Sequence, residues 1–197
     1  VAVLAAVLLI RVVPRAATPP RPVRQGLADG IAYARGSPPV RALLGAIALV
    51  SFMVTPYVVL MPVFADRMLR GGAHTMGLML SAAGLGAVCG TLMLAYRKGV
   101  AGLPRIIGAA ALAAGAALAV FAWSTAIWLS AAMMAFTGCG VIMTAASANT
   151  LLQSIAPDRL RGRIASFYTV AFLGVSPLGA LALGALAEAT DARIALC

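Results

Sequence analysis

From Ala126 to Ile155 no side chain carries a charge, and from Ile164 to Ala187 none does either. A bilayer core about 30 Å thick is crossed by about 20 helical residues, so each block is long enough to span it. Between them lies Ala156-Pro157-Asp158-Arg159-Leu160-Arg161-Gly162-Arg163, a tight turn carrying three arginines. Arginines clustered beside apolar spans stay on the cytoplasmic side of a membrane. Asp158, Arg159, Arg161 and Arg163 therefore mark the inward-facing turn of a helical hairpin. The orientation of the rest follows by alternation.

Five blocks read as spans: about 42–64, 76–96, 103–123, 126–153 and 164–187. Pro56 and Pro62 interrupt the first and Pro177 the last, as spans tolerate when neighbours satisfy the freed carbonyls. If the 156–163 turn is inside, so are the 97–105 turn and the 11–41 linker. Those segments hold Arg159, Arg161 and Arg163, then Arg97, Lys98 and Arg105, then Arg11, Arg15, Arg21, Arg24, Arg35 and Arg41. Twelve of the fifteen basic residues thus fall inside, against Arg67, Arg70 and Arg193 outside. Only 10% of the chain is charged, far below the ~25% of soluble domains, which excludes a soluble globular fold. The net charge of +10 is spread between apolar blocks with no continuous basic face, so no nucleic-acid partner is expected.

The ends and the linker have their own readings. Residues 1–10 are apolar but too short to span, and read as the end of a truncated transmembrane helix. Ile194-Ala195-Leu196-Cys197 reads as the start of another. Residues 11–40 form a cytoplasmic linker broken early by Pro14, Pro19, Pro20 and Pro22. Val23, Leu27 and Ile31 then recur every four residues, which predicts a short amphipathic helix on the inner membrane surface. An ordinary ordered linker fits that segment equally well.

Apart from Arg105 at the inner end of the third, no Asp, Glu, Lys, Arg or His lies within a predicted span, so no proton relay is visible here. GxSG and HExxH motifs and paired intramembrane aspartates are absent, which argues against an enzyme. The cysteines form no CxxC pair, and neither a metal nor a cofactor is implied. Candidates for a substrate cavity are uncharged polar residues: Ser51 and Thr55 in the first span, Asn149 and Gln153 in the fourth, Ser166 and Thr169 in the fifth. Interhelical hydrogen bonding is the competing explanation for each. The third span has no hydroxyl or amide from Leu103 to Phe121 and is expected to face lipid. Gly84, Gly86 and Gly90, with Gly138, Gly140, Gly174, Gly179 and Gly184, read as close helix packing. A hinge is expected between Gly174 and Pro177.

The order of these features resembles the major facilitator superfamily, and within it the enterobactin-exporter-like branch. The likeness rests on Gly26-Leu27-Ala28-Asp29-Gly30-Ile31-Ala32-Tyr33-Ala34-Arg35 and on the span ending Leu60-Met61-Pro62-Val63-Phe64-Ala65. It rests above all on Asn149-Thr150-Leu151-Leu152-Gln153 leading into Pro157-Asp158-Arg159-Leu160-Arg161-Gly162-Arg163-Ile164-Ala165-Ser166. The resemblance implies an all-α membrane protein, with residues 41–197 supplying five full helices of a six-helix C-terminal bundle. It further implies an N-terminal six-helix half as partner, a small-molecule substrate, proton-coupled export and a bacterial inner-membrane location. One departure stands out. Tyr96-Arg97-Lys98-Gly99 lacks the aspartate of the family's turn between its eighth and ninth helices, so the gate-locking charge pair is not carried over. Two other readings remain beside it: the membrane subunit of an ATP-driven transporter, with residues 23–35 as coupling helix, and a non-transporting membrane scaffold.

Overall fold

The computed structural model describes residues 23–69, 71–97, 99–190 and 196. The predicted helix end at 1–10, the proline-rich start of the linker and all of 194–197 except Leu196 lie outside the described residues. What is described is helical throughout, and five helices are long and apolar enough to cross a membrane.

Helix α1 (Val23–Gly36) precedes the spans. Its predicted apolar stripe turns away from the bundle, with Leu27 and Ile31 exposed, while the opposite face docks. Gly30 sits against the Phe167 ring, and the Tyr33 hydroxyl donates to the Ile155 carbonyl at 3.1 Å. α1 therefore closes over the arginine-rich end of the fourth and fifth spans.

The first span, Pro38–Asp66, comprises α2 (Pro38–Met53), α3 (Tyr57–Val63) and the start of a π-helical turn that runs on to Met68 (Phe64–Met68). It begins four residues before the expected start. Pro38 and Pro39, read from the sequence as linker, occupy the first helical turn, where a missing N–H is no loss. The interruption falls at Pro56, which has no N–H to continue the ladder, and the Thr55 N–H reaches back five residues to the Val50 carbonyl.

The second span, α4 (Gly72–Ala95), also starts four residues early, launched by Gly72 at φ +57, a left-handed conformation that glycine adopts without strain. His74 thus belongs to the first helical turn, where the sequence suggested a loop. The third and fourth spans are α5 (Leu103–Trp123) and α6 (Ile127–Ile155). The fifth runs Arg161–Ala189 as α7 (Arg161–Thr169), a π-helical turn (Val170–Gly174) and α8 (Ser176–Ala189). The expected hinge between Gly174 and Pro177 corresponds to this change of helical register.

α6 is the axis of the bundle, with α4 on one side and α5 on the other. Lipid is as apolar as these side chains, so close packing, not escape from water, holds the helices together. Small residues make that approach possible. A Cβ on Gly86 would strike the Ala135 carbonyl, and one on Gly138 would strike the Ala83 carbonyl, so the two backbones touch reciprocally. Gly140 meets Ala110 and Ala114 of α5 in the same way. The first and fifth spans form a second pair, with Gly179 pressed on the Phe52 backbone. They rejoin α6 near the arginine-rich end, where the Tyr168 hydroxyl donates to the Ala145 carbonyl at 3.1 Å.

Two apolar clusters fill the interior. Val40, Leu43, Ile47, Ala148, Leu152, Leu160 and Ile164 pack at the arginine-rich end. Met61, Phe64, Met79, Leu118, Phe121 and Met134 pack at the other, with the Phe64 and Phe121 rings 5.1 Å apart. The third span buries Ile107, Ala110, Ala114, Leu118 and Phe121 on its inner face and exposes Leu112 and Val120 on its outer one. Apart from Arg105 in the first turn, that outer face is apolar, as suits contact with lipid.

Candidate functional site

The polar residues singled out in the sequence are not brought together in one cavity. Ser51 is fully buried, and its hydroxyl donates to the Phe172 carbonyl in the π-helical turn of the fifth span. Proline 177 supplies no N–H to that stretch, so a carbonyl left over by the register change is satisfied from the neighbouring helix. Ser51 therefore ties the interrupted part of one span to that of the other. Replacing Ser51 with alanine is expected to cost about 1 kcal/mol. A thermal unfolding experiment in detergent should show a midpoint about 2–4 °C lower.

Asn149 and Gln153 are half-buried and satisfy each other: the Gln153 Nε2 donates to the Asn149 Oδ1 at 2.9 Å. The main-chain carbonyl of Gln153 also accepts from the Arg161 Nε at 3.2 Å, joining the fourth span to the fifth. Ser166 and Thr169 are exposed and return their hydroxyls to their own helix, at Gly162 and Ala165. Thr137 and Thr144, also polar positions of the fourth span, are fully buried and bond to Met133 and Gly140 one turn back.

Of the six candidates, Thr55 lines a described cleft. The cleft measures about 290 Å³ and opens where the first, second and fourth spans converge. The first span contributes Thr55, Tyr57 and Val58, just beyond its interruption at Pro56. Leu80, Ala83, Gly84 and Ala87 come from α4, and Gly138, Val141 and Ile142 from α6. The Thr55 hydroxyl makes only a long contact, 3.4 Å, to the Val50 carbonyl, and is free to offer its proton elsewhere. An aliphatic trough with one hydroxyl and one phenol at its edge suits an amphipathic guest with a few polar atoms.

Gly84 and Tyr57 were not among the cavity candidates picked from the sequence. The glycines at 84, 86 and 90 were read as one packing motif, but helical phase separates them. Residues two apart point about 200° away from each other, so Gly84 cannot share the face of Gly86. Nothing lies within 4 Å of a Cβ placed on Gly84, whereas Gly86 and Gly90 are pressed against α6. Gly174 and Gly184 likewise pack on no neighbouring helix.

At the arginine-rich end, the turn between the fourth and fifth spans is shorter than expected. Leu160 closes it by bonding to the Pro157 carbonyl at 2.8 Å, and Ala156 and Leu160 are buried. Arg161 and Arg163 consequently stand in the first turn of α7, not in a loop. Arg161 pairs with Asp158 at 2.8 Å, which offsets the cation's unfavourable place at a helix N-terminus. Both partners are largely exposed, so the pair adds little stability.

The whole chain, residues 1–197, matches the family of major facilitator type described as transmembrane secretion effector. The chain belongs to that family. No curated protein and no solved structure matches it. As a transmembrane secretion effector of the major facilitator type, the protein is a multi-pass membrane transporter. The resemblance inferred from the 149–166 stretch is thereby confirmed at the level of the superfamily. Among the described residues, the three-span cleft joins open volume to the Thr55 hydroxyl, which is held only by a long contact within its own span.

Proposed function

We propose that this protein is a secondary active exporter of the bacterial inner membrane, of the enterobactin-exporter-like branch. Its cargo is a small amphipathic compound of the drug or siderophore kind. The observation that carries this reading is the cleft between the first, second and fourth spans, apolar along its length and polar only at Thr55 and Tyr57. A guest of mixed polarity seats its apolar body on Leu80, Val141 and Ile142 and its polar edge on the hydroxyls.

Residues 41–197 act as the C-terminal bundle, and transport follows from its rocking against an N-terminal six-helix half around a site near the bilayer midplane. Residues 11–40 link the two halves. The interruptions at Pro56 and at the Val170–Gly174 turn let the first and fifth spans bend together, since Ser51 and Gly179 hold them in contact. Proton exchange drives export, with the titrating groups on the N-terminal half, because the described spans carry an acid only at their ends.

Thiol accessibility in the full-length transporter tests the reading. With native cysteines replaced, cysteine at 55 or 84 is expected to react with a membrane-impermeant maleimide and to be shielded by a transported compound. Cysteine at Leu112, on the outer face of the third span, is expected to stay unreactive. Equal labelling at 112 and 55, without shielding at either, sinks the assignment.

A further inference from the structure

A second cleft lies at the arginine-rich end, well separated in composition and position from the three-span cleft. It measures about 470 Å³ and is enclosed by the last turn of α1, the first half of α2 and the fifth span around its π-helical turn. Leu44, Ala48, Phe167 and Val170 make its walls apolar. Among the described residues, its charged lining residues are Arg35 and Arg41. Arg35 closes α1 and Arg41 stands in the first turn of α2, so both guanidinium groups belong to the membrane-surface end of the cleft. Both side chains are exposed. The ion pair formed among the described residues, Arg161 with Asp158, involves neither.

Two cations at a membrane surface, above an apolar trough that runs into the bilayer, present the charge and shape complement of one ligand class. We infer that this cleft binds an anionic phospholipid. Its phosphate lies between Arg35 and Arg41, and one acyl chain follows Leu44, Ala48 and Val170 toward the bilayer interior. Guanidinium groups suit phosphate because their forked N–H donors match its oxygens. Basic pockets between transmembrane helices are where such head groups are held. α1 supports the assignment: its exposed Leu27 and Ile31 form an apolar edge on the same helix that carries Arg35, placing it at head-group depth. A free phosphate ion would make no use of the apolar walls, and a zwitterionic lipid would offset the arginines' charge with its own amine. The inference does not depend on what the transporter carries.

The experiment uses the full-length transporter in detergent, titrated with phosphatidylglycerol, phosphatidylcholine or inorganic phosphate, with bound lipid counted by native mass spectrometry. Phosphatidylglycerol is expected to be retained selectively, and an R35Q/R41Q variant is expected to bind it roughly 30-fold more weakly. Because both arginines are exposed, that variant keeps its fold. A48F fills the trough, leaves both arginines in place, and is expected to lose retention as well. Equal retention of phosphatidylcholine, or unchanged binding by R35Q/R41Q, overturns the proposal. So does competition by inorganic phosphate alone, or capture of another segment of the same polypeptide by a photo-crosslinker at position 48.

Discussion

Transport is expected to fall about 100-fold when Gly84 becomes phenylalanine, while the bundle stays folded. Gly84 is exposed to the three-span cleft, and no atom lies within 4 Å of a Cβ built there. A side chain added at this point grows into open space, toward Val58 and Val141 across the cleft. In a cleft of about 290 Å³ a benzyl side chain takes up a large share of the space a guest would occupy. Leaving glycine also favours the helix itself by about 0.3–0.5 kcal/mol, so the variant should unfold no earlier than the parent. Alanine and valine at 84 should give graded losses, falling first on the bulkiest transported compounds. Flux measured in reconstituted vesicles, beside thermal midpoints in detergent, separates the two effects. Wild-type flux through a stable Gly84→Phe transporter would remove the cleft from the transport path.

Two residues further along the same helix the outcome reverses. Gly86→Ala is expected to cost on the order of 3 kcal/mol or more, because its Cβ would meet the backbone carbonyl of Ala135 rather than a movable side chain. The thermal midpoint should drop by about 6–12 °C. Gly138→Ala should behave alike, since its Cβ meets the Ala83 carbonyl from the opposite helix. The two substitutions act on one contact, so the double variant should cost less than the sum of the singles. Once either backbone has been forced away, the second methyl meets an already widened gap. A Gly86→Ala protein as stable as the parent would mean that α4 and α6 do not approach as closely as described.

Why the spans were legible and the site was not comes down to how each is specified. Five apolar blocks lie within a few residues of the five helices because lipid admits only backbone that satisfies itself and very few charged side chains. The misplacements share one cause. At Pro38, Gly72 and Arg161 the helix runs past the apolar block into residues that composition assigns to a loop. Proline and glycine are compatible with a first turn, and an arginine there is tolerated when a carboxylate such as Asp158 stands beside it.

Polar residues inside the spans behave differently. A hydroxyl on a helix bonds whichever carbonyl is nearest, usually four residues back, as Thr144 and Ser166 do. Their appearance in a sequence therefore does not distinguish a cavity wall from a packed interface. Ser51 is a clear instance: its partner, the Phe172 carbonyl, lies on another span and exists as a free acceptor only because that span changes register.

The amino-acid sequence by itself determined that the described residues cross a membrane five times and where each passage lies, because the energetic cost of charge in lipid is local and falls on each segment separately. Which glycine packs and which one opens a cleft was decided only by the tertiary structure. Gly84 and Gly86 are chemically identical, and their roles diverge because α6 approaches one face of α4 and not the other.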